Sequence, residues 1–270
     1  MSGRGLAQLS VRAVSKVFAG RNGIAEVPAL TGVNLEIRSG EFLVLLGPSG
    51  CGKSTLLNLL AGFTRPTSGA VLHDGEEIGA PDKRRTVVFQ EYALFPWKTV
   101  QQNVEFGLKA QGLPRRERED IAREWLSVVR LSGFEDRYPH EISGGMKQRA
   151  AIARAIAPDP EVLLMDEPFG ALDAQTRVLL QEEVARISSE TGKTIVFVTH
   201  SIDEAVFLGD RIVVMSSRPG RVRETHEVNL PRPRVPGVRV EKTYRELVEM
   251  LWTSLRPEWQ TETGAATGTA

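Results

Sequence analysis

Short apolar runs alternate with amphipathic stretches along most of the chain. Runs typical of strands cover 9–14, 33–37, 41–46, 70–73, 85–89, 162–165, 194–199 and 211–215, and helical spacing covers 56–61, 175–189 and 203–208. The run at 162–165 is apolar at every position, which is typical of a strand buried on both faces. This alternation of strands and helices predicts an α/β fold with a largely parallel central sheet.

The pattern changes between 100 and 158. Apolar residues such as Val104, Ile121, Trp125 and Val129 recur there at helical spacing. The sequence therefore predicts a helical subdomain, at about 97–158, inserted into a main domain that spans 9–230. The charge run at 115–119 is interpreted as the solvated start of one of its helices.

The two ends of the chain are expected to lie outside this domain. Residues 1–8 are small and polar and are predicted to be flexible, and the Thr-, Gly- and Ala-rich residues 261–270 are predicted to be disordered. Between the domain and this tail, 231–260 read as a proline-rich linker followed by a helix that is expected to pack on the main domain. The apolar face of that helix consists of Tyr244, Leu247, Val248, Leu251 and Leu255.

Composition narrows the choice of partners. The chain has 270 residues, with 34 basic and 34 acidic side chains, so its formal charge is zero and nucleic acid is not an expected partner. Cys51 is the single cysteine, which rules out a disulfide framework and suits a reducing cytoplasm. The chain has no apolar run of about 18 residues, so no membrane-spanning segment is expected.

A glycine-rich loop links the run at 41–46 to the helical pattern at 56–61. Its spacing, G-x-x-x-x-G-K-S, lets backbone N–H groups turn toward an anion, and the following helix points its positive end at the same place. Lysine then reaches the phosphates and serine can ligate Mg²⁺. The loop predicts a bound nucleoside triphosphate; the alternative is a turn without a ligand. Its residues are Gly47, Pro48, Ser49, Gly50, Cys51, Gly52, Lys53, Ser54 and Thr55.

Two acids follow the apolar run at 162–165. Ligands of open α/β sheets bind at the carboxyl ends of strands, so Asp166 is placed to hold Mg²⁺ and Glu167 to orient an attacking water. The alternative is a pair of surface acids.

A second helix start follows Ile142, where Ser143, Gly144 and Gly145 open a helix predicted at 146–157. A free hydroxyl and exposed N–H groups make it a candidate second anion site. The alternative is an ordinary serine-capped helix start.

Taken in order, these motifs resemble those of the ATP-binding cassette (ABC) ATPases over roughly 9–225. The resemblance implies a P-loop NTPase fold of the cassette type, with an antiparallel β subdomain and an inserted helical subdomain, that binds ATP and Mg²⁺. The motifs are the phosphate loop, Phe89-Gln90, Ile142-Ser143-Gly144-Gly145-Met146, Asp166-Glu167, Ala171-Leu172-Asp173 and Val198-Thr199-His200.

The resemblance also implies roles for single residues. Phe18 resembles the aromatic residue that stacks on adenine, and Gln90 the glutamine that senses Mg²⁺ and water and links the core to the helical subdomain. Ser143, with its two glycines, is similar to the signature that contacts the ATP of the other subunit. Asp173 resembles the aspartate that crosses the dimer interface, and His200 the histidine that contacts the γ-phosphate. Without the resemblance, Phe18 is interpreted as a core residue, and His200 as a histidine at a strand end whose hydrogen bonds are satisfied within the protein.

Two positions depart from the commonest family pattern. Ile142 and Met146 replace leucine and glutamine in the signature, whose Ser-Gly-Gly core is intact, and Phe18 stands where tyrosine is commoner. Stacking on a base survives that change.

Segments 92–100 and 214–220 are similar to the ATPases of nitrate, taurine and aliphatic-sulfonate importers. The resemblance implies the ATPase subunit of a bacterial importer, a homodimer on the cytoplasmic face of the membrane. It would drive a separate permease and, through it, serve an extracytoplasmic solute-binding protein. Alternatives are another importer branch, a cassette ATPase without a transport role, and a small-molecule phosphotransferase. Phe95, Pro96 and Trp97 are expected either to meet the permease or to cap the helical subdomain.

Overall fold

The computed structural model describes residues 7–20 and 26–265, with side chains for 8–20 and 26–257. Most of the predicted flexible start, 1–6, lies outside the described residues, whereas Ala7 and Gln8 open the first strand. The last helix runs to Ala265, so 261–265 are helical where disorder was predicted, and 266–270 lie outside the described residues. A helix, once formed, adds one backbone hydrogen bond per residue, which composition alone does not reveal.

The main sheet confirms the predicted parallel core. Its strand order is β10-β9-β3-β8-β7-β6, and every neighbouring pair is parallel except β10 with β9. All positions of β3 and β8 are buried. Residues 162–165 of β7 are buried as well, as the unbroken apolar run there predicts. Its strands are β3 (Phe42–Leu46), β6 (Arg85–Val88), β7 (Val162–Asp166), β8 (Thr194–Thr199), β9 (Arg211–Ser216) and β10 (Arg221–Glu227).

A second, antiparallel sheet has the order β2-β1-β4-β5 and packs its apolar face over the helix that follows the phosphate loop. Two of its strands are 12 residues long, which is longer than the apolar runs that predicted them. Its strands are β1 (Ala7–Phe18), β2 (Val27–Arg38), β4 (Ser68–His73) and β5 (Glu76–Glu77).

The helices follow the predicted order. Three of them, α2 to α4, form the helical subdomain between β6 and β7. Within the described residues no helix combines the length and the apolar character needed to cross a bilayer. The helices are α1 (Lys53–Ala61), α2 (Val100–Ala110), α3 (Arg115–Val128), α4 (Gly144–Ile156), α5 (Ala174–Thr191), α6 (Ile202–Leu208) and α7 (Lys242–Ala265), with 3₁₀ turns at Pro139–Glu141 and Pro236–Val240.

Strands β5 and β10 were not predicted. Strand β10 has the sequence RVRETHE, and none of its positions is fully buried. It is the edge of the main sheet, so its residues need no apolar run and carry no strand signal that periodicity can detect.

Helix α7 packs back on the main domain through the face that its spacing indicates. Leu251 and Leu255 are fully buried in the larger core cluster. The buried Tyr244 donates its hydroxyl to the carboxylate of Asp203 at 2.5 Å, at the start of α6. The C-terminal helix is therefore attached to the helix that directly follows His200.

We expect Leu251→Ala to lower the free energy of unfolding by about 2–5 kcal/mol, because it removes a fully buried side chain and leaves a cavity. Met250→Ala is the matched control, since Met250 is 48% exposed on the same helix. Urea denaturation of both variants measures the difference. Equal stabilities would contradict the docking of α7.

Candidate functional site

The candidate residues converge at the carboxyl ends of three adjacent strands. Gly47 follows β3, Asp166 ends β7 and His200 follows β8. Since β3, β8 and β7 are parallel neighbours, their carboxyl ends share one edge of the sheet. This is where open α/β sheets bind ligands.

The phosphate loop curls around the ammonium group of Lys53. This side chain is only 4% exposed and donates to the carbonyl oxygens of Gly47 and Pro48, both at 2.8 Å. Gly52 precedes α1 with φ +92° and offers no side chain to cap it. The first N–H groups of α1 are therefore without a side-chain cap, as an anion site at a helix start requires.

Ser54 and Asp166 meet beside this loop. The Ser54 hydroxyl donates to the Asp166 carboxylate at 2.9 Å. Burial raises the pKa of Asp166, and the charge of Glu167 raises it further, while the Ser54 hydrogen bond opposes the shift. A hydroxyl and a partly buried carboxylate with an acidic neighbour are a donor set that a hard cation such as Mg²⁺ fits.

Glu167 and His200 form the second contact of the site. The Glu167 carboxylate lies 3.2 Å from Nδ1 of His200. This hydrogen bond lowers the pKa of Glu167 and raises that of His200. Glu167 also adopts φ +41°, a left-handed conformation that costs a non-glycine residue energy. Its backbone N–H donates to Val198 at 3.0 Å, which holds it there.

The end of β8 is hydrogen-bonded to the buried carboxylate of Glu204. Thr199 donates its hydroxyl to Glu204 at 2.5 Å and accepts from the backbone N–H of Ser201 at 3.0 Å. Gln181 of α5 donates to the other oxygen of Glu204 at 3.3 Å. These bonds fix the turn that carries His200, and the sequence analysis missed them.

Gln90 lies two residues beyond β6, on the surface. Its Nε2 is 3.6 Å from the position that a Cβ on Gly170 would take. Among the described residues its side chain makes no hydrogen bond to Ser54 or Asp166. The structure thus places Gln90 beside the loop that follows Glu167 and not in direct contact with the proposed metal ligands.

Ser143 and Asp173 each cap their own helix. Ser143 accepts from Met146 N–H at 3.3 Å at the start of α4, and Asp173 accepts from Thr176 N–H at 2.9 Å at the start of α5. The Thr176 hydrogen bonds lower the pKa of Asp173. Both side chains are exposed. The capped-start reading of Ser143 is correct, and a cap leaves its remaining lone pair and exposed surface available to a partner.

The signature glycines allow a close helix contact. A Cβ on Gly145 would overlap the methyl group of Thr176, and one on Gly144 would lie 2.9 Å from the Tyr92 hydroxyl. Only glycine fits at Gly145 without a shift of its neighbour. The start of α4 is thereby packed against α5 and against the loop after Gln90.

Phe18 is not a core residue. It ends β1 and is 45% exposed, with the ammonium of Lys16 5.2 Å from its ring centre. An exposed aromatic ring is free to stack on a flat ligand.

The segment after Gln90 is tied to the helical subdomain by two residues that the sequence analysis missed. Arg154 of α4 donates to the carbonyls of Ala93 and Tyr92 at 2.6 and 3.2 Å. Asn103 of α2, fully buried, accepts from Phe95 N–H at 2.8 Å and donates to the Phe95 carbonyl. The sequence could have indicated the role of Asn103, because Asn103 is a polar residue on the apolar face of α2. No sequence pattern indicated the role of Arg154.

Comparisons with known proteins identify the family of this chain. A family model described as ABC transporter matches residues 30–170. The ABC transporter ATP-binding protein MJ0412 of Methanocaldococcus jannaschii, itself uncharacterized, is 53% identical over 227 residues, which cover 84% of each chain. The nitrate import ATP-binding protein NrtD of Synechocystis sp. is 49% identical and covers 88% of this chain and 89% of its own. The aliphatic sulfonates import protein SsuB of Bacillus cereus is 48% identical, with coverages of 84% and 88%.

Solved structures give the same fold. The dimeric structure of MJ0796, a bacterial ABC transporter cassette, superposes with a TM-score of 0.74 at 34% identity, covering 83% of this chain and all of that one. A post-hydrolysis state of the same cassette, bound to ADP and Pi, gives 0.73 with the same identity and coverage. The cassette-type fold predicted from the motifs is confirmed.

The contact between Glu167 and His200 predicts a pH dependence. Because the pKa of His200 is raised above 6.5, the contact stabilises the fold fully below that pH and less as pH rises through the raised value. Because the pKa of Glu167 is lowered below 4.5, the contribution is present above that pH and lost as pH falls further. We expect NMR titration to give His200 a pKa above 6.5 that falls back in Glu167→Gln. Glu190→Gln, which alters an acid paired with Arg186, should leave it unchanged.

Proposed function

This chain belongs to the ABC transporter family of ATP-binding proteins, and from that premise we propose that it is the ATP-hydrolysing subunit of an importer. It would act from the cytoplasmic face of the membrane through a separate permease. The observation that carries this proposal is the convergence of Lys53, Ser54, Asp166, Glu167 and His200 at one sheet edge. The nitrate and sulfonate relatives favour nitrate, a sulfonate, taurine or a similar small solute.

The nucleotide would be held mainly by residues before α1 and by the first turn of α1. Lys53 and the uncapped N–H groups of its first turn would bind the phosphates, and the exposed ring of Phe18 would stack on adenine. Ser54 and Asp166 would hold Mg²⁺, with Gln90 nearby. Bound there, Mg²⁺ would offset the negative charge of the phosphates.

Glu167 and His200 would position the attacking water and the phosphate. The Glu167 carboxylate, which contacts His200 at the sheet edge, could accept a proton from water there. While His200 donates to it, this carboxylate is a weaker base. Transfer of His200 from Glu167 to the γ-phosphate would therefore bind the phosphate and release the base in one movement.

The site would be completed by a second subunit. Ser143 and Asp173 are exposed, and in this chain their described hydrogen bonds are to their own helices. Two copies related by a two-fold axis would place Ser143, Gly144 and Gly145 of each against the nucleotide of the other. The partner could equally be a paralogue. Either way, ATP would join the two subunits.

The permease would dock in an apolar groove between β6 and the helical subdomain. The groove has a volume of about 850 Å³, and Phe89, Phe95 and Phe106 are among its lining residues. Phe95 packs on the half-exposed Phe106 with ring centres 4.6 Å apart. Trp97 is 71% exposed, and its ring centre lies 5.6 Å from that of Phe95. We expect a short amphipathic helix of the permease to place an apolar side chain in the groove. The solute-binding protein would act only through that permease.

We expect Glu167→Gln to form a stable dimer with ATP but not with ADP, because the change removes the base and keeps every phosphate-binding group. Size-exclusion chromatography with each nucleotide measures it. Two control variants should stay monomeric with ATP: Glu167→Gln with Lys53→Ala, which loses a phosphate charge, and Glu167→Gln with Ser143→Arg, which blocks the second subunit.

Monomeric Glu167→Gln with ATP would contradict dimerisation of the isolated subunit. Wild-type hydrolysis by Glu167→Gln would remove its catalytic role, since the loss of such a group typically costs about a hundredfold or more.

We expect Trp97→Ala to retain ATPase activity in the isolated subunit but to lose binding to the permease and solute uptake. Co-purification with the membrane protein and uptake of labelled solute measure these two effects. Trp252→Ala is the control, since Trp252 is 52% exposed on α7. Normal uptake with Trp97→Ala would exclude this surface, and the absence of any membrane partner would favour a cassette ATPase without a transport role.

A further inference from the structure

The end of β9 and the turn that follows it, residues 217–220, form a support for the phosphate loop. A Cβ on Gly47 would lie 2.7 Å from the carbonyl oxygen of Met215, and one on Gly220 would overlap the carbonyl of Cys51. Gly220 is anchored in turn to β2, donating to Ala29 at 2.9 Å and accepting from Thr31 at 3.0 Å. The turn and the loop are thus in backbone contact, and each fixes the position of the other.

Arg218 projects from this turn onto the phosphate loop. Its Nη2 is 3.2 Å, and its Nε 3.6 Å, from the position that a Cβ on Gly50 would take. Gly50 has φ +72°, so glycine is favoured there, and the absence of a side chain leaves space for the guanidinium. Among the residues that the structure describes, Arg218 has no acidic partner, and it is exposed to solvent.

The loop therefore has a cation on two sides. The ammonium of Lys53 is bonded to the carbonyls of Gly47 and Pro48, while the guanidinium of Arg218 rests against Gly50. The nearest acids of the site are engaged elsewhere, Asp166 with Ser54 and Glu167 with His200. Among the described residues no acid pairs with Arg218, so its positive charge is available to a ligand of the loop.

We propose that Arg218 is a nucleotide-binding residue of this chain, whose guanidinium raises the affinity of the loop for the polyphosphate of ATP. This inference rests on the proposed function, since it assumes that the loop binds a nucleotide. A guanidinium suits the task because it is weakly hydrated and always charged, and it presents several donors to phosphate oxygens. Its exposed position makes the contribution sensitive to salt.

The test compares the affinities of variants for ADP and for the non-hydrolysable analogue AMP-PNP, by calorimetry at low and high salt. Arg218→Ala should raise Kd about fivefold at low salt, as expected for one unit charge near the ligand in a partly exposed site, and less at 0.5 M salt. The loss should be larger for AMP-PNP, which carries more negative charge than ADP. Arg218→Lys should restore most of the affinity, and Arg218→Gln should not.

Arg221→Ala is the matched control. Arg221 is equally basic and exposed, lies three residues further along the chain, and lines a separate groove beside Thr31 and Asn34. The Kd of Arg221→Ala should stay within about twofold of the wild-type Kd. That difference measures the effect of removing a charge that lies away from the loop.

Three outcomes would overturn the proposal. An Arg218→Ala Kd equal to that of Arg221→Ala would mean that the guanidinium contributes nothing. Equal losses in the Lys and Gln variants would mean that Arg218 acts by packing and not by charge. Failure of the wild-type protein to bind either nucleotide would instead reject the proposed function itself, and with it the premise of this inference.

Discussion

The close backbone packing around the phosphate loop is the constraint on which the rest of this site depends. The loop is pressed between β2 and the turn after β9, so closely that a Cβ on Gly52 would lie 2.8 Å from the carbonyl of Ala29. Glycine at this position, with φ +92°, turns the chain directly into α1 and leaves the helix start uncapped. The same turn places Lys53 inside the loop and Ser54 toward Asp166. A side chain in place of Gly52 would therefore displace the loop or β2.

Each of the two acids beside that loop is hydrogen-bonded to a neighbouring side chain. Asp166 is bonded to Ser54, and its pKa is raised by burial, so the site favours a cation beside it. Glu167 is bonded to His200, which favours the charged form of both side chains. Each acid is therefore held in place by its own hydrogen bond, although the charge of Glu167 raises the pKa of Asp166. The left-handed conformation of Glu167 is the strain that this arrangement maintains.

The site is connected mechanically to two distant surfaces. Arg154 and Asn103 bind the segment that begins just after Gln90, so the aromatic groove of the helical subdomain and the sheet edge share one chain segment. On the other side, Tyr244 of α7 binds Asp203 within the helix that follows His200. Each surface is therefore linked to the candidate catalytic groups by hydrogen bonds and by the polypeptide chain itself.

Patterns within single segments of the sequence were sufficient to predict the parallel strands and most residues of the candidate site. The apolar runs predicted the parallel strands, the G-x-x-x-x-G-K-S spacing predicted the phosphate loop, and Asp166 and Glu167 after the apolar run at 162–165 predicted the acids at the sheet edge. His200 was indicated by the family resemblance alone. These signals are local, because an apolar run and a loop motif are each read from a few consecutive residues. Tertiary structure alone decided the rest. The exposure of Phe18, the polar edge strand β10 and the contact of Arg218 with Gly50 arise between segments far apart in the chain or from surroundings that periodicity does not encode. Their energies depend on which surfaces the fold brings together, and no pattern within one segment specifies that.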